Sequence, residues 1–269
     1  MNVLEAVFLG ILQGVTEFLP ISSTAHLRVV PALLGKPDPG AALTAVLQLG
    51  SLAAVIGFFS KELVAMVRAV LDPARRRSQE ARMLLYMVVG TVPVGILGLI
   101  FRHAIEGPLR ALQVVALALI AVAILMAVAD WKSRGARTLD TVTLRDALLI
   151  GTAQALALIP GVSRAGITLV AGIALGLRRD AAARFSFLLS VPAIGAAGVF
   201  ELPKVLAGDG IGAVPLVAGL LAAAVAGYLS IAWLLRFLRT RPTTLFVIYR
   251  IALGTLLLVG VAAGWLSAQ

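Results

Sequence analysis

Residues 41–59, 83–101, 111–129, 210–235 and 251–269 form uncharged stretches in this chain. Each is close to the ~20 apolar residues that one helix needs to cross the hydrocarbon core of a bilayer. Lipid offers no partner to a backbone amide, so a spanning segment must satisfy its own hydrogen bonds, and helices do this within one segment. The rest of the composition agrees: 60% of residues are hydrophobic and 13% charged, against about 25% charged in soluble domains. An all-α polytopic membrane protein, a single membrane domain over 1–269, is the predicted class. Cysteine is absent, which excludes disulfides and thiol catalysis. The opening M-N-V-L-E lacks the basic start of a cleavable signal, so the first apolar segment is expected to be retained.

The chain is doubled. G-x-x-Q occurs at 10–13 and again at 151–154, and the same offset relates Gly57 to Gly198 and Phe59 to Phe200. Slipped by one residue, P-I-S-S at 20–23 answers P-G-V-S at 160–163. Such coincidences in matching apolar context predict an internal repeat, with halves at about 1–135 and 142–269 separated by a charged linker, 132–145. Each half opens with two short apolar pieces around a Pro/Ser break; the second pair is 147–163 and 165–177. The latter is too short to span, and the pair reads as a re-entrant helical hairpin, tolerated at depth when buried in protein. Three spans follow in each half, at about 41–59, 83–101 and 110–130, then 185–203, 212–236 and 244–265. Three is odd, so the second half is expected to be inverted relative to the first, with the hairpin tips meeting in mid-membrane.

Placing the basic residues tests this topology. Of the 23 Lys and Arg residues, only Arg28, Lys36, Arg102, Arg110 and Lys204 fall on the side of the N-terminus, with Arg164 and Arg250 inside membrane segments. All others fall on the opposite side, which the positive-inside rule makes cytoplasmic, with both termini outside. The net charge of +10 therefore reflects topology and contact with anionic membrane lipids, and a nucleic-acid partner is not expected.

Polar residues crowd into two places. In 13–26, Gln13 and Glu17 share a helix face at i, i+4, Pro20 breaks the helix, and Ser22, Ser23 or Thr24 can cap the next. His26 follows Ser23 by three residues, which returns it to the hydroxyl's side. In 160–168, Pro160 and Gly161 stop a helix, Ser163 can cap its successor, and Gly166 permits close backbone approach. Arg164 is costly in a membrane unless paired, and its guanidinium forks naturally onto phosphate oxygens. An ion pair with Glu17 is the structural alternative, and both hold if the pair exists only without substrate. Two helix N-termini and an arginine predict an anion site for phosphate or diphosphate. Gln154 is expected to bond broken-helix backbone, and Thr168 to cap a helix. Arg250, about seven residues into the last span, is expected either to snorkel to the cytoplasmic edge or to serve the site. His103 is expected to be solvated in a short loop.

These residues carry a resemblance to the undecaprenyl-diphosphate phosphatases linked to bacitracin resistance. The family pattern [E/Q]-x-x-x-E followed by F-L-P-x-S-S-T-x-H is matched by Gln13, Glu17 and 18–26, and P-G-x-S-R-S-x-x-T by 160–168 except at Ala165. Similarity continues through L-Q-L-G-S at 47–51, F-S-F-L-L-S-V-P at 185–192 and F-V-I-Y-R at 246–250. Gln13 stands where many members have Glu, and Ala165 removes one hydroxyl. The resemblance implies removal of the terminal phosphate of undecaprenyl diphosphate at a site facing outward from the bacterial inner membrane, recycling the lipid carrier for cell-wall synthesis. It points to Glu17, Ser23, His26 and Arg164 as catalytic, with Ser23 or His26 as nucleophile. Gln13, Ser22, Thr24, Gly161, Ser163, Gly166, Thr168 and Arg250 are the candidate substrate contacts. A divalent cation, Mg²⁺ or Ca²⁺, held by Glu17 and the diphosphate is expected as cofactor. A transporter or flippase for a polyprenyl phosphate lipid is the rival reading. Oligomeric state, a homodimer among the alternatives, stays open.

Overall fold

The computed structural model describes residues 1–36, 38–133, 135–207 and 211–266. Arg134 of the linker, and the outermost residues of the 210–235 and 251–269 stretches, lie outside them. Among the described residues the regular structure is helical, with one isolated bridge between Arg137 and Leu177.

Helix α1 (Val3–Phe18) starts from a capping box in which Asn2 and Glu5 satisfy each other's backbone amides. It stops at Leu19, forced into extended geometry ahead of Pro20, and the chain restarts as α2 (Ser23–Leu33). Then come α3 (Gly40–Phe58), α4 (Ser60–Leu71), α5 (Gln79–Ile100), α6 (Arg102–Glu106) and α7 (Leu112–Lys132). Past the linker the chain again opens on a broken pair of helices. Helix α8 (Leu144–Ala155), with a Thr143/Asp146 capping box, runs into a short 3-10 turn, breaks at Pro160, and restarts as α9 (Arg164–Ala174). Helices α10 (Arg179–Ala207), α11 (Ala213–Leu238) and α12 (Thr244–Ala262) complete it.

Helices α3, α5, α7, α10, α11 and α12 are long and apolar enough to cross a membrane, at the places expected from sequence. Their outer faces are apolar: Val88, Val92, Ile96 and Leu99 all lie exposed along α5. A contiguous apolar surface of that kind is expected where lipid, not water, is the solvent. Exposed Trp131 and Trp265 close α7 and α12, as interfacial aromatics do. This is a multi-pass helical membrane protein.

Packing is close where the broken helices meet the spans. α1 lies along α11, and α8 along α5. A methyl group added at Gly10 would stand 2.2 Å from the Gly219 carbonyl oxygen, and one at Gly151 2.1 Å from that of Gly90. Backbone-to-backbone contact of this kind is how small residues bind helices together without a hydrophobic driving force. The core runs through Phe18, Phe59, Phe185 and Phe187, with Met87 and Met126 beside them.

Apart from the Glu17–Arg164 pair, several charged contacts gather into two groups. In one, Asp38 receives Arg110 and Arg28, and Lys36 pairs with Glu5. In the other, Asp130 accepts from Arg179 and from the Thr243 backbone, and Glu62 pairs with Arg184. The linker is more ordered than its charged composition suggests. Arg137 reaches Asp146 at 2.6 Å and the Leu175 carbonyl at 2.9 Å, which pins the segment to the turn between α9 and α10. Helix α4 was not separable in the sequence from the charged segment after the first span. It is half-apolar, burying only Met66 and Ala69, and too short to stand out by composition.

Candidate active site

The two breaks share a local geometry. Among the described residues, Ser22 (φ +76°) and Ser163 (φ +71°) are the only non-glycine residues with positive φ. Each side chain caps the helix it precedes, Ser22 Oγ accepting from Ala25 N and Ser163 Oγ from Gly166 N. Holding a serine there costs about 1–3 kcal/mol, and here it turns the chain sharply enough to aim a helix N-terminus inward. The next residue is then the first of each helix: Ser23 on α2, Arg164 on α9.

Both N-termini open into one cavity of about 140 Å³, lined by Glu17, Ser22, Ser23, Thr24, Ser163, Arg164 and Gln154, with Gln48 at its wall. Glu17 organises it. Its Oε2 accepts from Ser23 Oγ at 2.6 Å and from Gln13 Nε2 at 2.7 Å, and its Oε1 pairs with Arg164. Glu17 is 5% exposed and Gln13 fully buried, so these contacts form with little solvent screening. A hydroxyl donating to a buried carboxylate, beside a guanidinium and two helix N-termini, combines a nucleophile, a base and an anion clamp.

The other predicted residues lie around this cavity, not on its wall. His26 turns its Nδ1–H to the Ser22 carbonyl at 2.7 Å, and its Nε2 shares a hydrogen bond with the Tyr249 hydroxyl at 2.6 Å. Thr168 spends its hydroxyl on the Arg164 carbonyl and on Ser186. Gly166 leaves room for the Ser163 side chain and Arg250, and Gly161 (φ +96°) sits tight on the Val115 backbone. Gln154 does not bond the broken-helix backbone; it faces the cavity. Tyr249 and Ser51 lie in the runs 246–250 and 47–51 that carry the family resemblance, yet neither is singled out there, because one polar residue in an apolar span carries no periodic signal.

Arg250 does not snorkel. It is fully buried, and its guanidinium donates to Pro20 O (3.0 Å) at the first break and to Gly161 O (2.9 Å) and Val162 O (3.1 Å) at the second. It also reaches Leu119 O and Ala118 O on α7. The carbonyls freed by the two breaks are thus met by one planar donor set, which holds the tips in register. We expect Arg250→Met to leave several buried carbonyls unsatisfied and to cost roughly 3 kcal/mol or more, read as a lower thermal midpoint in detergent. An unchanged midpoint with a raised KM would instead make Arg250 a substrate contact.

Glu17 is the only carboxylate on the cavity wall, and among the described residues no group of three His, Cys, Asp or Glu could hold a metal. That donor set fits an ion brought by a diphosphate, with Glu17 as its protein ligand, because Mg²⁺ is commonly bound by one or two carboxylates plus substrate phosphates.

A family model described as bacitracin resistance protein BacA matches residues 6–256. The chain is 51% identical over 272 residues to an undecaprenyl-diphosphatase of Myxococcus xanthus, covering 99% of this chain and 92% of that one. It is 48% identical over 282 residues to that of Chlorobium phaeovibrioides, with 99% of both chains covered. Against that of Gloeobacter violaceus it is 49% identical over 274 residues, covering 99% of this chain and 94% of the other. With the family model and its relatives both running along nearly its whole length, the chain belongs to the bacitracin resistance protein BacA family.

Proposed function

We propose that this protein is an undecaprenyl-diphosphate phosphatase, releasing the terminal phosphate of the lipid within the membrane and returning undecaprenyl phosphate to cell-wall synthesis. The observation that carries the reading is the Glu17–Ser23–Arg164 cluster, gathered on the wall of one cavity of about 140 Å³. The space is too small for a polyprenyl chain, and its polar lining of Glu17, Ser22, Ser23, Thr24 and Arg164 suits a phosphate headgroup. The headgroup enters, and the tail remains in lipid.

Ser23 Oγ forms a bond to the terminal phosphorus as the bond from phosphorus to the bridging oxygen breaks. The proton of Ser23 passes to Glu17 Oε2, and undecaprenyl phosphate leaves with the bridging oxygen. Water then forms a new bond to phosphorus, the P–Oγ bond breaks, and Glu17 returns its proton to Oγ. Both protons of the water leave with orthophosphate. Arg164 and the two helix N-termini hold the phosphoryl oxygens throughout, since phosphoryl transfer depends mainly on positioning and charge stabilisation. Ser23 is assigned the attack in preference to His26 because it lines the cavity and touches a base. His26, tied between the Ser22 carbonyl and Tyr249, positions the break. A divalent cation, Mg²⁺ or Ca²⁺, bound with the diphosphate at Glu17 would neutralise phosphate charge.

The decisive test is orthophosphate release from undecaprenyl diphosphate by purified, detergent-solubilised protein; a transporter or flippase alone would release none.

The architecture we propose is the inverted repeat, each half a re-entrant hairpin plus three spans. Three features support it: the matched serines at the breaks, the pairing of α1 with α11 and of α8 with α5, and the gathering of several charged contacts into two groups. The protein then sits in the bacterial plasma membrane with both termini and the cavity mouth outside. A reporter fused after Gln269 should read as external and one inserted within 72–79 as cytoplasmic; the reverse pattern would overturn the orientation.

A further inference from the structure

Gln154 is fully buried, yet neither its Oε1 nor its Nε2 has a hydrogen-bond partner among the described protein groups. It lines the same cavity as Glu17, Ser23 and Arg164. A buried amide left unpaired is a standing cost to the fold, and in native proteins each such group calls for an explanation. Its counterpart in the first half makes the contrast clear. Gln13 donates to Glu17, four residues on, and lies near Ser51 Oγ at 3.5 Å. Four residues after Gln154 stands Leu158, which offers no carboxylate. The second-half amide is therefore held at the cavity without a protein partner.

We propose that Gln154 is a catalytic residue whose side-chain amide contacts the phosphoryl group undergoing transfer, Nε2 donating to a non-bridging oxygen. Phosphate is a pure acceptor there, and a carboxamide offers two donors and no charge. It would strengthen as charge develops on those oxygens, without competing with Glu17 for Arg164. Its Oε1, on the same planar group, is free to accept from the attacking water. The inference rests on this cavity being the site of hydrolysis.

The test measures three quantities for Gln154→Leu, with Gln154→Met as a second near-isosteric variant: thermal midpoint in detergent, kcat and KM for phosphate release, and inhibition by orthovanadate. Removing an unpaired buried amide should leave the midpoint unchanged or raise it, the reverse of what loss of a structural hydrogen bond does. kcat should fall by about 10- to 100-fold, as for loss of one hydrogen bond to a charged group, and the vanadate inhibition constant should rise in parallel. Turnover within twofold of the unmodified protein in both variants would overturn the proposal. So would a midpoint that falls in both, or vanadate inhibition that stays unchanged while kcat drops. Ser23→Ala, assayed alongside, separates the two layers: if it remains active, the assignment of the cavity fails. If it is inactive while the Gln154 variants are active, only the role of Gln154 fails.

Discussion

Ser23→Ala should lower turnover by ~10³-fold or more, Glu17→Gln by ~10²-fold or more, and the two together by no more than Ser23→Ala alone. The physical reason is that, on the proposed mechanism, the two side chains act as one unit. Ser23 Oγ lies 2.6 Å from Glu17 Oε2, so the carboxylate has a catalytic use only while there is a hydroxyl to deprotonate. Glu17→Gln is nearly isosteric, but it loses the charge that pairs with Arg164 and that, on the proposed mechanism, accepts the proton. No second carboxylate stands ready, because the neighbouring position is Gln13, already committed to donating. Phosphate release for the two single variants and the double one, at saturating substrate and Mg²⁺, measures the coupling. Near-normal turnover in Glu17→Gln would reduce Glu17 to a structural role. A double variant much worse than Ser23→Ala would show the two residues working in separate steps. Mass spectrometry of acid-quenched protein should find phosphate on Ser23 and nowhere in the Ser23→Ala variant.

Arg164 should show the second large effect. Its guanidinium pairs with Glu17 and lies at the first position of α9, where it can turn to an arriving phosphate without leaving the cavity. Arg164→Lys keeps the charge and loses the planar, two-pronged geometry, so kcat should fall while the protein still inserts and folds. Arg164→Ala should be worse, losing ~3 kcal/mol or more of transition-state stabilisation, about two orders of magnitude in rate. It also strands Glu17 as an unpaired charge, 5% exposed, and a buried pair broken on one side is strongly destabilising. The combined change Glu17→Gln with Arg164→Gln separates these effects, because it removes both charges and leaves two amides that can bond each other. A combined variant that melts normally but releases no phosphate confirms that the pair serves catalysis. Recovery of both stability and activity would remove Arg164 from the mechanism.

Much of this protein was legible in its residues. The six apolar spans follow from length and composition alone, since a bilayer imposes one requirement on every crossing segment. The two breaks announce themselves through Pro20 and Pro160, each followed by a serine able to cap what comes next. Glu17, Ser23 and Arg164 stand out for a related reason: polar and charged groups are rare in such a chain and costly to place.

What the sequence could not decide is which of these groups touch. His26 lies three residues from Ser23, and that spacing suggests a shared task. The tertiary structure instead gives Ser23 to Glu17, across the break, and gives His26 to Tyr249 from the last helix. Arg250 reads as a residue near enough to an interface to reach water. Its environment is set by five carbonyls drawn from α7 and both breaks, groups every residue possesses and no pattern records. The same holds for Gln13 and Gln154, identical in type and in local motif. The Nε2 of one meets a carboxylate four residues on, while neither amide atom of the other has a partner among the described protein groups, because the partner of a buried polar group is chosen by packing across the whole chain. Sequence determined the class of the protein, its spans, its breaks and the residues able to do chemistry. Only the meeting of the two breaks decided which of those residues share one cavity, since hydrogen bonding depends on tenths of an ångström between segments more than a hundred residues apart.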